Sequence, residues 1–223
     1  MIRNIYDAVY NNLIGGGAYL RIIKGCVYTL LIFAAALAVG GAFAAVLSFL
    51  RTSGCKWLRR IGAAAAFFTK GTPVYLALLL WYYTFLGGMH RGGLLIAVLV
   101  FGLYAGGHLS DILSRNIKKE AEARSAAVNR RARREFFSAL LPFVTEQSLF
   151  EIKHLVCIIL QMSSVVGVIG VNDLAQVMLA NGLRTQYPFF ALACAVIFYL
   201  LLQLLVEAVF SRLGRQLTGE EEE

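Results

Sequence analysis

Charge is scarce in this sequence and unevenly spread. Lys, Arg, Asp and Glu make up 15% of the 223 residues, while 59% are apolar. Soluble domains run to about 45–50% apolar residues. Five stretches lack all four charged types: Cys26 to Leu50, Gly71 to His90, Gly92 to Ser110, His154 to Asn172 and Thr185 to Val206. Each reaches roughly the 17–25 residues with which a helix crosses hydrocarbon. A soluble bundle with five buried helices is disfavoured, because surface helices normally pair an apolar stripe with a polar face. Cysteine is sparse as well. Cys26, Cys55, Cys157 and Cys194 form no close-spaced pair, and three of them sit in apolar runs. That argues against a disulfide framework or a zinc site. No internal repeat, phosphate-cradling loop, Walker-type motif, metal cluster or hydrolytic triad is visible. The sequence therefore offers no catalytic, cofactor-binding or metal-binding residues, and the chain is not expected to be an enzyme. Met1 to Gly17 lacks an apolar h-region, so no cleavable signal peptide is expected.

What remains is an all-α integral membrane protein with five transmembrane helices and no separate soluble domain. Its net charge of +8 could suggest nucleic acid, but the placement of charge argues for topology. Arg51, Lys56, Arg59, Arg60, the eight basic residues of the segment after span 3, and Arg212 and Arg215 all fall on one side. The other side holds Arg3, Arg21, Lys24, Arg91 and Arg184. The positive-inside rule puts the first set in the cytoplasm. The N-terminus is then outside and the C-terminus cytoplasmic. Three regions follow: residues 1–18 as an N-terminal external or interfacial segment, 19–212 as the five-span domain, and 213–223 as a cytoplasmic acidic tail. In the first, Ile2, Ile5, Tyr6, Val9 and Leu13 recur at helical spacing, which fits an interfacial helix as well as a disordered leader.

Along the spans, small residues such as Gly40-Gly41 and Ala44-Ala45 in span 1 permit close helix approach. Span 2, about Trp57 to Leu86, is interrupted by Lys70-Gly71-Thr72-Pro73, where Gly and Pro break regular helix. Lys70 is read either as a charge at membrane depth or as a side chain snorkelling to the interface. Asp111 and Arg115 near the end of span 3 stand at i,i+4, the spacing of a pair on one helix face. His108 with Asp111 would also suit a proton relay. In span 4, Gln147, Glu151, His154, Gln161 and Ser164 recur at spacings of 3, 4 or 7. Such a polar stripe faces either a packed neighbour or a wet pathway. On the second reading Lys70, Thr72, Gln161, Ser163 and Ser164 line translocation.

The largest polar segment runs from Ser114 to Leu141. Between Arg115 and Glu135 it carries eight Lys/Arg against three Glu. It suits a helix, since Ala is frequent while Gly and Pro are absent from Glu120 to Leu140. On composition alone a bare topology signal leads, with a docking element as the rival, its small residues allowing close approach and Arg130, Arg131, Arg133 and Arg134 meeting acidic groups.

In order, these segments resemble the permease subunit of a polar-amino-acid ABC importer of the type I fold. The resemblance covers about Gly25 to Ala208. Lys70-Gly71-Thr72-Pro73 looks like the family's R-G-T-P. Gly107 through Ile112 to Ile117 looks like its A-Y-x-x-E-I…I, and Leu141-Pro142 matches its L-P. Gln161-Met162-Ser163-Ser164-Val165 falls where the family has K-D-T-S-L, and Asp173-Leu174 looks like its E-L. The cytoplasmic signature E-A-A-x3-G-x9-I-x-L-P is degenerate here, with Ala123, Arg124 and Ser125 on E-A-A and Asn129 on the Gly.

The resemblance implies a short coupling helix within about 118–141, docking on an ATPase through Glu122, Ala123, Ser125, Ala126, Ala127, Asn129, Arg130 and Arg131. It implies a multi-pass protein of the bacterial inner membrane that forms half of a pathway for an amino acid or similar polar solute. It also implies partners: a cytoplasmic ABC ATPase carrying ATP and Mg, a second identical or homologous permease chain, and an extracytoplasmic solute-binding protein. The lipid bilayer is expected as a partner and nucleic acid is not. The degenerate signature and the Gln161-Met162 replacement leave a permease-derived scaffold or regulatory subunit as the alternative. A proton-coupled secondary transporter is a third reading, disfavoured because such proteins usually show internal symmetry.

Overall fold

A computed structural model of the protein describes residues 7–85, 92–123 and 146–218. Among these, every regular element is helical. The principal helices are α1 (Ala18–Arg51), α2 (Lys56–Gly71), α3 (Val74–Phe85), α4 (Gly92–Ala123), α5 (Glu146–Met162), α6 (Leu174–Thr185) and α7 (Pro188–Thr218). A 3-10 stretch, Ser163–Ile169, prolongs α5. Four stretches are long and apolar enough to cross a membrane, and the bent pair α2–α3 makes a fifth if it counts as one span. Span 2 is therefore no straight helix. It is a chevron bent by 99°. The bend is local chemistry: Thr72 is extended at φ −80° and ψ 124°, the conformation that a following proline imposes.

Helices α1 and α4 are parallel and hold the centre. Gly40 of α1 meets Gly102 and Ala105 of α4, and about two turns along Ser48 donates to the Ser110 carbonyl at 3.4 Å. A Cβ on Gly106 would lie 2.7 Å from the Gly40 carbonyl oxygen. Only hydrogen fits there, which lets the backbones approach within the bilayer. Gly40 thus acts as expected, with Gly102 and Gly106 as its partners, while Gly41 faces open space. Around this seam Ile32, Leu78, Ile96, Phe101, Ile159 and Val166 form the main core. A second cluster joins Ile22 of α1 to Leu174 and Met178 of α6 and Ala191 of α7.

The segment before α1 is packed rather than loose in its described part. It is helical from Asp7 and passes through a π-type turn, Tyr10–Ile14. Ala8 and Asn12, one turn apart, face inward. Two glycines with positive φ, Gly16 and Gly17, then redirect the chain into α1. Helix α7 is the reverse of α4. Leu200, Leu201, Leu204 and Leu205 are all more than half exposed, a face suited to lipid or to another apolar surface.

Candidate functional site

The end of the bundle that carries most basic residues is organised by one carboxylate. Asp111, on α4, receives Arg51 from the last turn of α1 on one oxygen and Lys70 from the last turn of α2 on the other. Arg51 Nη1 also donates to Ser110 Oγ at 3.0 Å. Two features bring the three helices together. Gly107 lies against Thr69 and Lys70, and Gly62 of α2 meets Leu50 and Arg51. The i,i+4 pairing expected between Asp111 and Arg115 does not form. Asp111 is taken by the two cations from neighbouring helices, and Arg115 turns to Glu151 on α5. Lys70 is accordingly neither a lone intramembrane charge nor a free snorkel, but one arm of this node.

Beside the node a cavity of about 400 Å³ opens between α4 and α5. His108, Asp111 and Arg115 line it from α4, and Glu151, His154 and Ile158 from α5. The Tyr104 and His108 rings meet at a tilt of 54° with centroids 4.6 Å apart. Asn116 Nδ2 donates to Ser148 Oγ at 2.5 Å and closes the same seam. A second cavity, of about 190 Å³, lies in the angle of the chevron, where Thr72, Trp81 and Tyr104 meet. The first carries charged and imidazole side chains, while the second is lined mostly by apolar ones with Thr69, Thr72 and Tyr104 as its polar groups. No group of three or more His, Cys, Asp or Glu that could hold a metal occurs among the described residues.

The opposite third of the bundle contains a buried polar knot. Asp173 caps α6, accepting from the Ala175 and Gln176 amides at 3.1 Å each and from the Tyr199 hydroxyl at 3.0 Å. Thr29 Oγ1 accepts from the Leu174 amide at 3.0 Å. All three oxygens are committed to fixing the turn between the 3-10 stretch and α6. Beyond the knot, Asn181 Oδ1 accepts from Arg21 Nε at 3.1 Å, and Thr185 donates to Asn12 Oδ1 at 2.8 Å.

The residues expected to line a pathway are dispersed. Lys70 is in the ion node and Thr72 in the chevron cavity. Gln161 reaches Gln203 on α7 at 2.8 Å. Ser163 is buried with its hydroxyl on the Leu160 carbonyl, and Ser164 returns to the Gln161 carbonyl. The polar stripe of span 4 splits for the same reason: Glu151 and His154 face α4, while Gln161 faces α7. For the coupling residues, Glu122 and Ala123 end the described part of α4. Ser125, Ala126, Ala127, Asn129, Arg130 and Arg131 lie outside the described residues. Sequence reading missed Arg51, Tyr104, Ser110 and Tyr199. The A-Y-x-x-E-I resemblance passed within a few positions of two of them.

This arrangement, long apolar helices with a broken second span and a polar end, defines the class: an all-helical membrane protein with the fold of an ABC-transporter permease. The particular likeness is to a solved structure of an amino acid ABC transporter with histidines. The two superpose with a TM-score of 0.72 over 89% of this chain and 94% of that one, at 19% sequence identity. No family model matches the sequence, and no curated protein matches it significantly.

Proposed function

We propose that this chain is the membrane-spanning permease subunit of an ATP-driven importer for an amino acid or similar polar solute. The observation that carries the reading is the shared fold, which extends over nearly the full length of both chains. The polar cavity between α4 and α5 beside the chevron supports it, because an alternating pathway needs hydrated space at helix breaks and seams. In this reading the chain forms half of the pathway and a second permease chain, identical or homologous, the other half. A cytoplasmic ATPase holds ATP and Mg, and a binding protein outside delivers the solute. The basic end of the bundle faces the cytoplasm of a bacterial inner membrane, and residues of about 118–141 dock on the ATPase.

The test is affinity purification of the full chain in mild detergent, followed by reconstitution with whatever ATPase co-purifies. Solute-stimulated ATP hydrolysis and uptake that both fall at least tenfold in an Ala126→Trp, Ala127→Trp variant would support the reading. A stable complex with an ATPase and a second permease but no solute-stimulated hydrolysis would favour a scaffold. Uptake by this chain alone would sink both.

A further inference from the structure

The end opposite the ion node holds a cavity lined by three cations. Between the first turns of α1 and the face of α6 lies a cavity of about 400 Å³. Arg21, Lys24 and Arg184 all line it, with Tyr28, Asn172 and Asn181 as neutral polar partners, and no carboxylate is among its lining residues. Two of the cations are held in place by neutral oxygens. Arg21 donates to Asn181 Oδ1 and, through Nη1, to the Gly16 carbonyl at 3.1 Å; Arg184 Nη2 donates to the Asn11 carbonyl at 3.2 Å. None of the three has an acidic partner among the described residues. The ion pairs found among the described residues sit at the far end.

Three like charges converging on one cavity repel one another unless an anion joins them. The backbone is spent on holding this arrangement, since Gly16 sits at φ 59° and presents its carbonyl to Arg21. The site also has a defined depth. Lys24 is the last charge before the charge-free run from Cys26 to Leu50, so the cavity lies where water gives way to hydrocarbon. Tyr19 and Tyr28 are half exposed at this level, as aromatic residues at the membrane boundary are. Leu20, Ile23 and Val27 present more than half of their surface alongside.

We propose that this cavity binds the phosphate of an anionic phospholipid headgroup, with the acyl chains lying along the outward face of α1. Basic pockets between helices hold such headgroups at the cytoplasmic boundary, and this cavity offers the same chemistry at the opposite boundary. The apolar flank favours a lipid over an acidic protein surface, which would need no contact below the headgroup level. The site lies far from the α4–α5 cavity, and the proposal does not depend on the transport reading.

The test uses the full chain purified into nanodiscs of phosphatidylcholine alone or with phosphatidylglycerol, read by native mass spectrometry and by thermal unfolding. Lys24 is the variant of choice, because its ammonium makes no hydrogen bond among the described residues. Lys24→Gln should cut phosphatidylglycerol retention about fivefold, the weight of one surface cation, and Lys24→Arg should restore it. Arg212→Gln, at the other end, should leave retention unchanged. Equal loss in Lys24→Gln and Arg212→Gln, or equal retention of phosphatidylcholine, would overturn the proposal. So would millimolar inorganic phosphate that displaces the lipid and reproduces its stabilisation, which would make this a free-phosphate site. Loss of a co-purifying acidic protein in Lys24→Gln with lipid retention intact would make it a protein contact.

Discussion

At the end carrying Asp111, three helices meet through full charges. At the end carrying Asn181, the chain meets itself through hydrogen bonds that all end on neutral amide, hydroxyl and carbonyl oxygens. The first arrangement gathers α1, α2 and α4 onto one carboxylate whose side chain is 28% exposed. The second ties Asn12, Arg21 and Thr185 to a fully packed Asn181. Ion pairs in contact with water are salt-sensitive and adjustable. Hydrogen bonds to neutral oxygens are less salt-sensitive, and breaking one at a buried group such as Asn181 leaves it unsatisfied. The two ends are thus suited to different duties: one can exchange partners at modest cost, the other holds its geometry.

Asp111→Asn should have the largest effect. It leaves Arg51 and Lys70 facing each other without the shared carboxylate, and a loss of about 2 kcal/mol is expected for a partly exposed node. Thermal unfolding in detergent at low salt measures it, and a shift equal to that of a surface substitution would undo the contrast. Asn181→Leu should cost about 1–2 kcal/mol by stranding Arg21 and Asn12. Repeating both measurements from about 50 mM to about 500 mM salt should shrink the first difference and leave the second alone. Arg115→Gln should cost under about 1 kcal/mol, because that arginine is more than half exposed and its pair with Glu151 is screened. The smallest perturbation is chemical labelling. Cys55, exposed at the charged end, should react with a membrane-impermeant maleimide before buried Cys157. Reaction in inside-out vesicles but not in intact cells would assign that end to the cytoplasm, and the reverse would invert the topology.

Much of the fold was legible because hydrocarbon imposes a length rule on charge-free runs. The runs beginning at Cys26, Gly92, His154 and Thr185 each lie largely within a long apolar helix or its continuation. The break at Gly71-Thr72-Pro73 was legible from proline chemistry, but its angle was not, because a bend is set by what the two arms rest on. Local spacing misled at Asp111. Periodicity sees only the neighbour four residues on, whereas Arg51 and Lys70 arrive from positions 60 and 41 residues away. The stripe of span 4 failed for a similar reason. One helical face can be shared between two neighbours, and α5 gives Glu151 to α4 and Gln161 to α7. Past Met162 the winding tightens to 3-10, so the 3.6-residue period no longer predicts direction. The carbonyl-to-glycine approach of α1 and α4 was half visible, as Gly40 stood out but its partners did not.

That approach has a consequence for motion. Two parallel helices whose backbones touch through Gly40, Gly102 and Gly106 have no room to slide or ratchet past one another, since any side chain carried into the seam collides with main chain. The pair behaves as a single strut. A change of shape in this protein must then be taken up where the hydrogen-bond ladder is already interrupted, at the chevron after Gly71 and at the junction after Met162. Those two joints are where a hinge would turn.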